Sequence, residues 1–231
     1  MAVTREPEGA SCVATGMKRS IITTAAFVGV AILAVPAVHA AKPEPKNLTI
    51  GASAATIKFG GTVTLSGKLN GSNNSGRQVT VEQDAFPIDA FTNAGTATTN
   101  ATGDWSSAQK PTANTRYRAR SGNADSKTVD VMVRPAISLK VSDRTPAAGT
   151  SVRFSGQLCP EHDGVAIALQ RRFGTKWRTL RKPVLKDIPG ATCSSYSKRL
   201  RVRKDGVYRM RFLGDVDHVA GNSRGKRLNV H

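Results

Sequence analysis

Three histidines follow Ala40, and two of them sit among carboxylates: His162 in Glu161-His162-Asp163 and His218 at the end of Asp215-Val216-Asp217-His218. Imidazole beside carboxylate can move a proton or hold a divalent cation. A metal-dependent hydrolase would need an ion held near Asp215, Asp217 and His218. Asp and Gly are also ordinary turn residues. Both runs read as polar turns, so neither a metal nor a cofactor is expected. Nucleophilic chemistry has less support. Serines are plentiful, but there is no G-x-S-x-G and no base placed to activate one. No phosphate-cradling loop or dinucleotide fingerprint occurs. Ser66-Gly67 and Ser155-Gly156 repeat, yet they lie inside alternating strands, where a packing or bulge role is expected. The chain reads as non-enzymatic.

The thiols point to compartment. Cys12 lies in the leader, and Cys159 and Cys193 remain beyond it. Lys18 and Arg19 form a positive n-region, residues 21–35 a mostly apolar stretch, and Val38-His39-Ala40 a cleavage signature. Residues 1–40 are therefore expected to contain a secretory signal cut after Ala40. Translation is expected to begin at Met17, because residues 1–16 are polar and carry Glu6 and Glu8. A membrane anchor is the alternative, but Pro36 interrupts the run and no stop-transfer charges follow at once. The n-region favours bacterial export. The mature chain is expected to be extracellular, with no membrane span. Two cysteines in an oxidising compartment suggest a Cys159–Cys193 disulfide, the alternative being two buried free thiols.

Charge is the most uneven property. The formal net charge is +18. Residues 47–133 hold eight Lys/Arg against six Asp/Glu, whereas residues 134–231 hold 21 against seven. Strand parity places many of these cations on outer faces. Leu200 and Val202 share one side, and Arg199, Arg201 and Arg203 the other. Arg153 points out between Val152 and Phe154, as does Lys140 between Leu139 and Val141. On a second sheet Tyr208, Met210 and Phe212 point inward. Arg209 and Arg211 point outward, joined by Arg172 and Arg227. Arg171, Lys176 and Arg178 cluster with Arg181 and Lys182 around a hairpin. Such a field draws anionic polymers by counterion release and steering, and the arginine fork suits phosphate and carboxylate. Expected partners are an anionic cell-wall polymer or an acidic polysaccharide. The alternative is a solvated surface that only maintains solubility or guards sheet edges. Sequence-specific nucleic-acid binding is not expected, since no helix-turn-helix, RNP or zinc pattern occurs.

The elements that position these residues come from an internal repeat. Val63-Thr64-Leu65-Ser66-Gly67-Lys68-Leu69 returns 89 positions later as Val152-Arg153-Phe154-Ser155-Gly156-Gln157-Leu158. Gly76-Arg77-Gln78-Val79-Thr80-Val81 parallels Gly164-Val165-Ala166-Ile167-Ala168-Leu169. Arg116-Tyr117-Arg118-Ala119-Arg120 parallels Val207-Tyr208-Arg209-Met210-Arg211. Each copy has one tryptophan, Trp105 or Trp177, at different places in the pattern. Tyr117 and Tyr208 match, and each is expected to fill a core and bond through its hydroxyl to a nearby loop. Apolar residues alternate with period two between Gly, Asn, Ser and Asp clusters, and no helical stripe appears. The fold is thus all-β, with about seven strands in each of two copies. Residues 41–46 form a short linker, 47–133 the first domain and 134–231 the second, joined at Arg134-Pro135.

The G-x-x-V-x-[LF]-S-G-x-L segment, the G-x-x-V-x-[VL] strand and the Asn114-Thr115-Arg116-Tyr117-Arg118 run resemble those of bacterial secreted proteins with tandem immunoglobulin-like domains. The resemblance covers residues 47–231 and implies two antiparallel Ig-like β-sandwiches. It also implies adhesion, carbohydrate-contact or spacer roles, and motifs of this kind identify a fold better than a ligand. The spacing of Cys159 and Cys193 departs from antibody-type domains, so that family's disulfide is not carried over. Two functions are expected to compete: a module that contacts anionic surface polymers through its basic second domain, and a structural spacer or protein-adhesion module.

Overall fold

Period-two alternation becomes half-buried strands. Val63 and Leu65 are buried while Thr64 and Ser66 face solvent, and Val152 and Phe154 are buried while Ser151 and Arg153 are exposed. The computed structural model describes residues 47–87 and 89–231, which contain strands and turns but no helix. No helix among them is long and apolar enough to cross a membrane. The leader, the Ala40 cleavage site, Met17 and the 41–46 linker lie outside the described residues.

The first half comprises β1 (Gly51–Ala52), β2 (Thr56–Lys58), β3 (Val63–Lys68), β4 (Gln78–Ala85), β5 (Thr92–Thr98), β6 (Asp104–Gln109), β7 (Thr115–Ser121), β8 (Ala124–Asp125) and β9 (Val129–Arg134). β3 lies between β1 and β6 in one sheet; the other runs β2-β9-β7-β4-β5, with β8 also on β7. The pairs are antiparallel except β2 with β9. Val63, Leu65 and Trp105 from the first sheet meet Val79, Val81, Tyr117, Val131 and Val133 from the second in one hydrophobic core. Two sheets closed on a shared core make a β-sandwich.

The second half repeats this plan with β10 (Ala136–Ile137), β11 (Lys140–Val141), β12 (Ser151–Cys159), β13 (Ala168–Phe173), β14 (Lys176–Arg181), β15 (Ser194–Arg201), β16 (Gly206–Phe212), β17 (Gly221–Asn222) and β18 (Lys226–Leu228). β12 carries β15 on one edge and β10 and β11 on the other; the facing sheet runs β14-β13-β16, with β17 and β18 beyond β16. Val152, Phe154, Leu158 and Tyr196 meet Leu169, Tyr208, Met210 and Phe212 in a second, separate core. Each fully buried side chain of this size contributes about 1.5–3 kcal/mol. β9 continues through Arg134 and β10 begins at Ala136, so Pro135 alone lies between the halves. The disulfide is formed between Cys159 and Cys193, 34 residues apart. It ties the end of β12 to the residue before β15.

The repeated serine–glycine pairs have a packing role. Gly67 stands opposite Trp105 on β6, and Gly156 stands opposite Tyr196 on β15. A Cβ on Gly67 would lie 1.9 Å from the Thr49 carbonyl oxygen, and one on Gly156 would lie 2.3 Å from that of Ser138. A lead segment crosses each glycine at this contact. Side-chain hydroxyls then hold it. The Lys68 amide donates to Thr49 Oγ1 at 2.8 Å and the Thr64 amide to Ser53 Oγ at 3.0 Å. In the second half the Gln157 amide donates to Ser138 Oγ at 2.9 Å and the Arg153 amide to Ser142 Oγ at 3.0 Å. Every position of this clamp recurs at the 89-residue offset, with Gly67 and Ser53 matched in kind by Gly156 and Ser142, and Thr49 replaced by another hydroxyl residue, Ser138.

The structure revises one expectation and refines another. As the sequence indicates, Trp105 and Trp177 are not equivalent; the counterpart of Trp105 is Tyr196, because each rests beside the clamped glycine. Tyr117 is buried as expected, but its hydroxyl has no hydrogen-bond partner, and burial pushes its pKa up to about 12. The hydroxyl that bonds across the fold is that of Tyr196, which donates to the Ser138 carbonyl.

Gly67→Ala and Gly156→Ala are each expected to destabilise the fold by roughly 1–3 kcal/mol, since the added methyl must displace backbone. Urea denaturation measures this; unchanged midpoints for both would show that the lead segments are not clamped over the glycines.

Candidate functional site

The first basic surface is the outer face of β12 and β15. Arg153 lies directly across from Arg199, and Ser151 across from Arg201; Lys140 on β11 faces Ser155, which faces Ser197. All four cations are exposed, and Arg203 continues the line beyond β15, also exposed. The parity of these strands forces this grouping, because the alternate positions Val152 and Phe154 are committed to the core. The face continues into a shallow recess lined by Ser138, Lys140, Ser155, Gln157, Lys186 and Ser195.

These cations have no neutralising partners. In the first half Lys68, Arg116, Arg118 and Arg120 pair with Asp104, Asp130, Glu82 and Asp125. Among the described residues, no Lys or Arg of 134–231 has a carboxylate oxygen within 4.0 Å. Like charges directly opposite on neighbouring strands cost stability. The Arg153–Arg199 pair is therefore an unfavourable choice for the fold alone.

The second basic surface, on β13 and β16, is different. Arg209 and Arg211 point outward as parity requires, but they are engaged. The Arg209 guanidinium stacks 4.0 Å above Trp177, and its Nε donates to Gln170 Oε1 at 2.9 Å. Burial, then the neighbouring Arg211 charge, pulls the Arg209 pKa below its ordinary value. Arg211 Nε is buried. Arg171 faces Tyr208 and Arg178 across the sheet, on the inward parity, and both guanidinium groups lie over Phe173, at 4.7 Å and 5.3 Å. Gly206 leaves room for the Arg171 side chain, which donates to the Asp205 carbonyl at 2.5 Å. Lys176 and Arg172 are exposed on the same hairpin. The ten predicted binding residues thus divide. Arg153, Arg199, Arg201 and Arg203, with Arg172 and Lys176 on the hairpin, are exposed, while Arg171, Arg178, Arg209 and Arg211 hold aromatic rings or buried positions.

A third constellation was not legible as a unit. His162 and His218 are 56 residues apart in sequence, in the connections after β12 and β16. The fold brings their rings to 4.8 Å, centroid to centroid, in an edge-on contact. His162 Nε2 lies 3.2 Å from Asp215 Oδ2, and His218 Nδ1 lies 3.3 Å from Asp217 Oδ2. Both imidazoles are buried, with 5% and 3% of their side chains exposed, while the two carboxylates reach solvent at 30% and 36%. Burial, then a hydrogen bond to Asp217, raises the Asp215 pKa. Burial opposes ionisation of Asp217 too, but the hydrogen bond from Asp215 and the nearby His218 hold it below the usual carboxylate range.

The loop carrying Asp215, Asp217 and His218 is fastened to the first half of the chain. His218 Nε2 donates to the Thr112 carbonyl at 2.8 Å, and the Asn114 amide donates to the Asp217 carbonyl at 2.8 Å. The Val219 amide donates to the Val133 carbonyl at 2.9 Å, and Arg134 Nε to the Ala220 carbonyl at 3.2 Å. Asn114 Oδ1 also accepts from the Val133 amide at 2.9 Å. The Asn114 run that carries the family resemblance is thus also a joint.

No protein-family model matches this sequence, and no curated protein sequence matches it.

Asn114→Ala removes the acceptor of the buried Val133 amide and is expected to lower stability by about 1–3 kcal/mol. Asn114→Asp keeps the acceptor and should recover most of the loss. Equal stability of Asn114→Ala and the parent in urea would mean that the joint carries no energy.

Proposed function

We propose that the chain is a secreted, non-enzymatic protein of tandem immunoglobulin-like modules that holds an anionic surface polymer on the outer face of β12 and β15. The observation that carries this reading is the exposed Lys140, Arg153, Arg199 and Arg201 cluster with no carboxylate partner. A surface that served only solubility would gain by interspersing acids among these cations. The adjoining recess offers hydroxyl, amide and lysine groups, which suit a polyhydroxylated chain bearing phosphate or carboxylate. An acidic polysaccharide or a phosphate-rich wall polymer fits both features. A rigid spacer is the second reading, favoured by the hydrogen bonds between the loop after β16 and the first half.

Binding to a polyphosphate or acidic-glycan column should weaken steeply with salt. If about three anionic groups are neutralised, affinity falls roughly twentyfold between 50 and 200 mM salt. Charge reversal at Arg153, Arg199 and Arg201 together should abolish retention with the fold intact by circular dichroism. Retention that ignores both salt and these reversals would remove the polyanion reading. A cross-linked protein partner indifferent to them would support the spacer.

Stability should move the opposite way. Arg199→Glu places an opposite charge across from Arg153, a change expected to be neutral or stabilising by about 0.2–1 kcal/mol at low salt. Thermal melts at low ionic strength check this; a marked loss would mean that Arg199 supports the fold.

A further inference from the structure

We propose that His162 Nε2, His218 Nδ1 and the carboxylates of Asp215 and Asp217 form a divalent-metal site of the zinc class, where the loop after β16 meets the first half of the chain.

The four ligand atoms all lie within 4.8 Å of one another. The outer nitrogens settle the tautomers. His162 Nδ1 contacts the Pro160 carbonyl at 2.9 Å and His218 Nε2 contacts the Thr112 carbonyl at 2.8 Å, and a carbonyl can only accept. Each neutral ring therefore turns its lone pair toward the carboxylates. His162 Nε2 and His218 Nδ1 are both buried with no hydrogen-bond partner. A lone pair held against a carboxylate is repulsive unless a positive charge sits between them. Carbonyl-oriented imidazoles of this kind are the usual outer support of a metal site.

A proton is the competing positive charge, and two observations weigh against it. Protonated imidazoles would point N–H bonds at the carboxylates, yet neither inner nitrogen makes a well-aligned hydrogen bond to the carboxylate oxygen 3.2–3.3 Å away. The spacing fits a metal better. Ligands about 2.0–2.1 Å from a tetrahedral ion are about 3.3 Å apart. The His162–Asp215 and His218–Asp217 separations are 3.2 and 3.3 Å, two opposite edges of such a tetrahedron. The remaining separations are all within 4.8 Å. Asp215 is already oriented, since its Oδ1 accepts from the His218 amide at 2.8 Å.

Ligand chemistry sets the class of ion. Two imidazoles favour zinc and its neighbours over calcium and magnesium, which prefer all-oxygen shells. Four protein ligands leave no open position, so the role is structural. The ion would join three pieces of chain. His162 follows the disulfide at Cys159 and is held by its amide on Ser194 Oγ at 2.7 Å. Asp215, Asp217 and His218 come from the loop after β16. Thr112 in the first half orients His218. A bound ion would therefore fix the joint between the halves. This inference stands apart from the polyanion face, and either can fail without the other.

The test uses the full secreted chain, stripped with a chelator and titrated at pH 7.5 with zinc, calcium or magnesium chloride by calorimetry and thermal melts. The expected result is one zinc per chain, a melting temperature that rises with zinc, and no response to calcium or magnesium. Nitrogen-15 spectra should show the shift at His162 Nε2 and His218 Nδ1. Asp215→Asn with Asp217→Asn keeps the hydrogen-bonding shapes and should lose zinc binding while remaining folded. Should those substitutions unfold the chain, the nitrogen-15 shifts in the parent protein decide alone. No zinc uptake, uptake unaffected by the double substitution in a folded protein, or zinc shifts confined to His231 would each overturn the proposal.

Discussion

A backbone carbonyl resting on a glycine is the contact from which the arrangement of both halves follows. The Thr49 carbonyl occupies the place of a Cβ on Gly67, and the Ser138 carbonyl does the same at Gly156. Hydroxyls at Thr49 and Ser53, and at Ser138 and Ser142, then fix β3 and β12 against their lead segments. A strand cannot slip by one residue without moving its whole apolar set to the solvent side. The clamp therefore fixes which side chains of β12 are core and which are surface. Arg153 is exposed because Val152 and Phe154 are held inward, and Arg199 follows from its register with Arg153.

From that common scaffold the halves diverge in electrostatics. The first half pairs the three arginines of β7 with carboxylates, as in Arg118 with Glu82 and Arg116 with Asp130. The second half leaves its cations unpaired and invests several of them in aromatic contacts, as in Arg209 over Trp177. An arginine that stacks on a ring is partly spent on packing. Free charge remains on the outer face of β12 and β15, and at Arg172 and Lys176 on the β13–β14 hairpin. The acidic pair Asp215 and Asp217 is turned toward two imidazoles.

Much of this was legible in the residues. Alternation at Val63, Leu65, Val152 and Phe154 gave the strands, and the same parity put Arg153, Arg199 and Arg201 on one face. The two cysteines beyond the leader anticipated the disulfide. Other features needed the fold. Trp105 and Tyr196 are equivalent by position but not by type, so nothing in the residues linked them. The hydroxyl clamp was visible in principle, since Thr49, Ser53, Ser138 and Ser142 recur at the 89-residue offset, but serine and threonine are common enough to hide it. The engagement of Arg209 depends on a neighbour two strands away. His162 and His218 come from separate loops, and no spacing rule links residues whose proximity depends on loops closing at the same end of a sandwich.

The central claim is that the outer face of β12 and β15 carries the charge available to a partner. Arginine-selective chemical modification, mapped by mass spectrometry with and without a saturating acidic glycan or polyphosphate, tests it most directly. The account predicts fast modification of Arg153, Arg199 and Arg201 in the free protein and their protection by the polymer, with Arg209 and Arg211 slow throughout. Protection spread evenly over the arginines, or none at the three on β12 and β15, would contradict it.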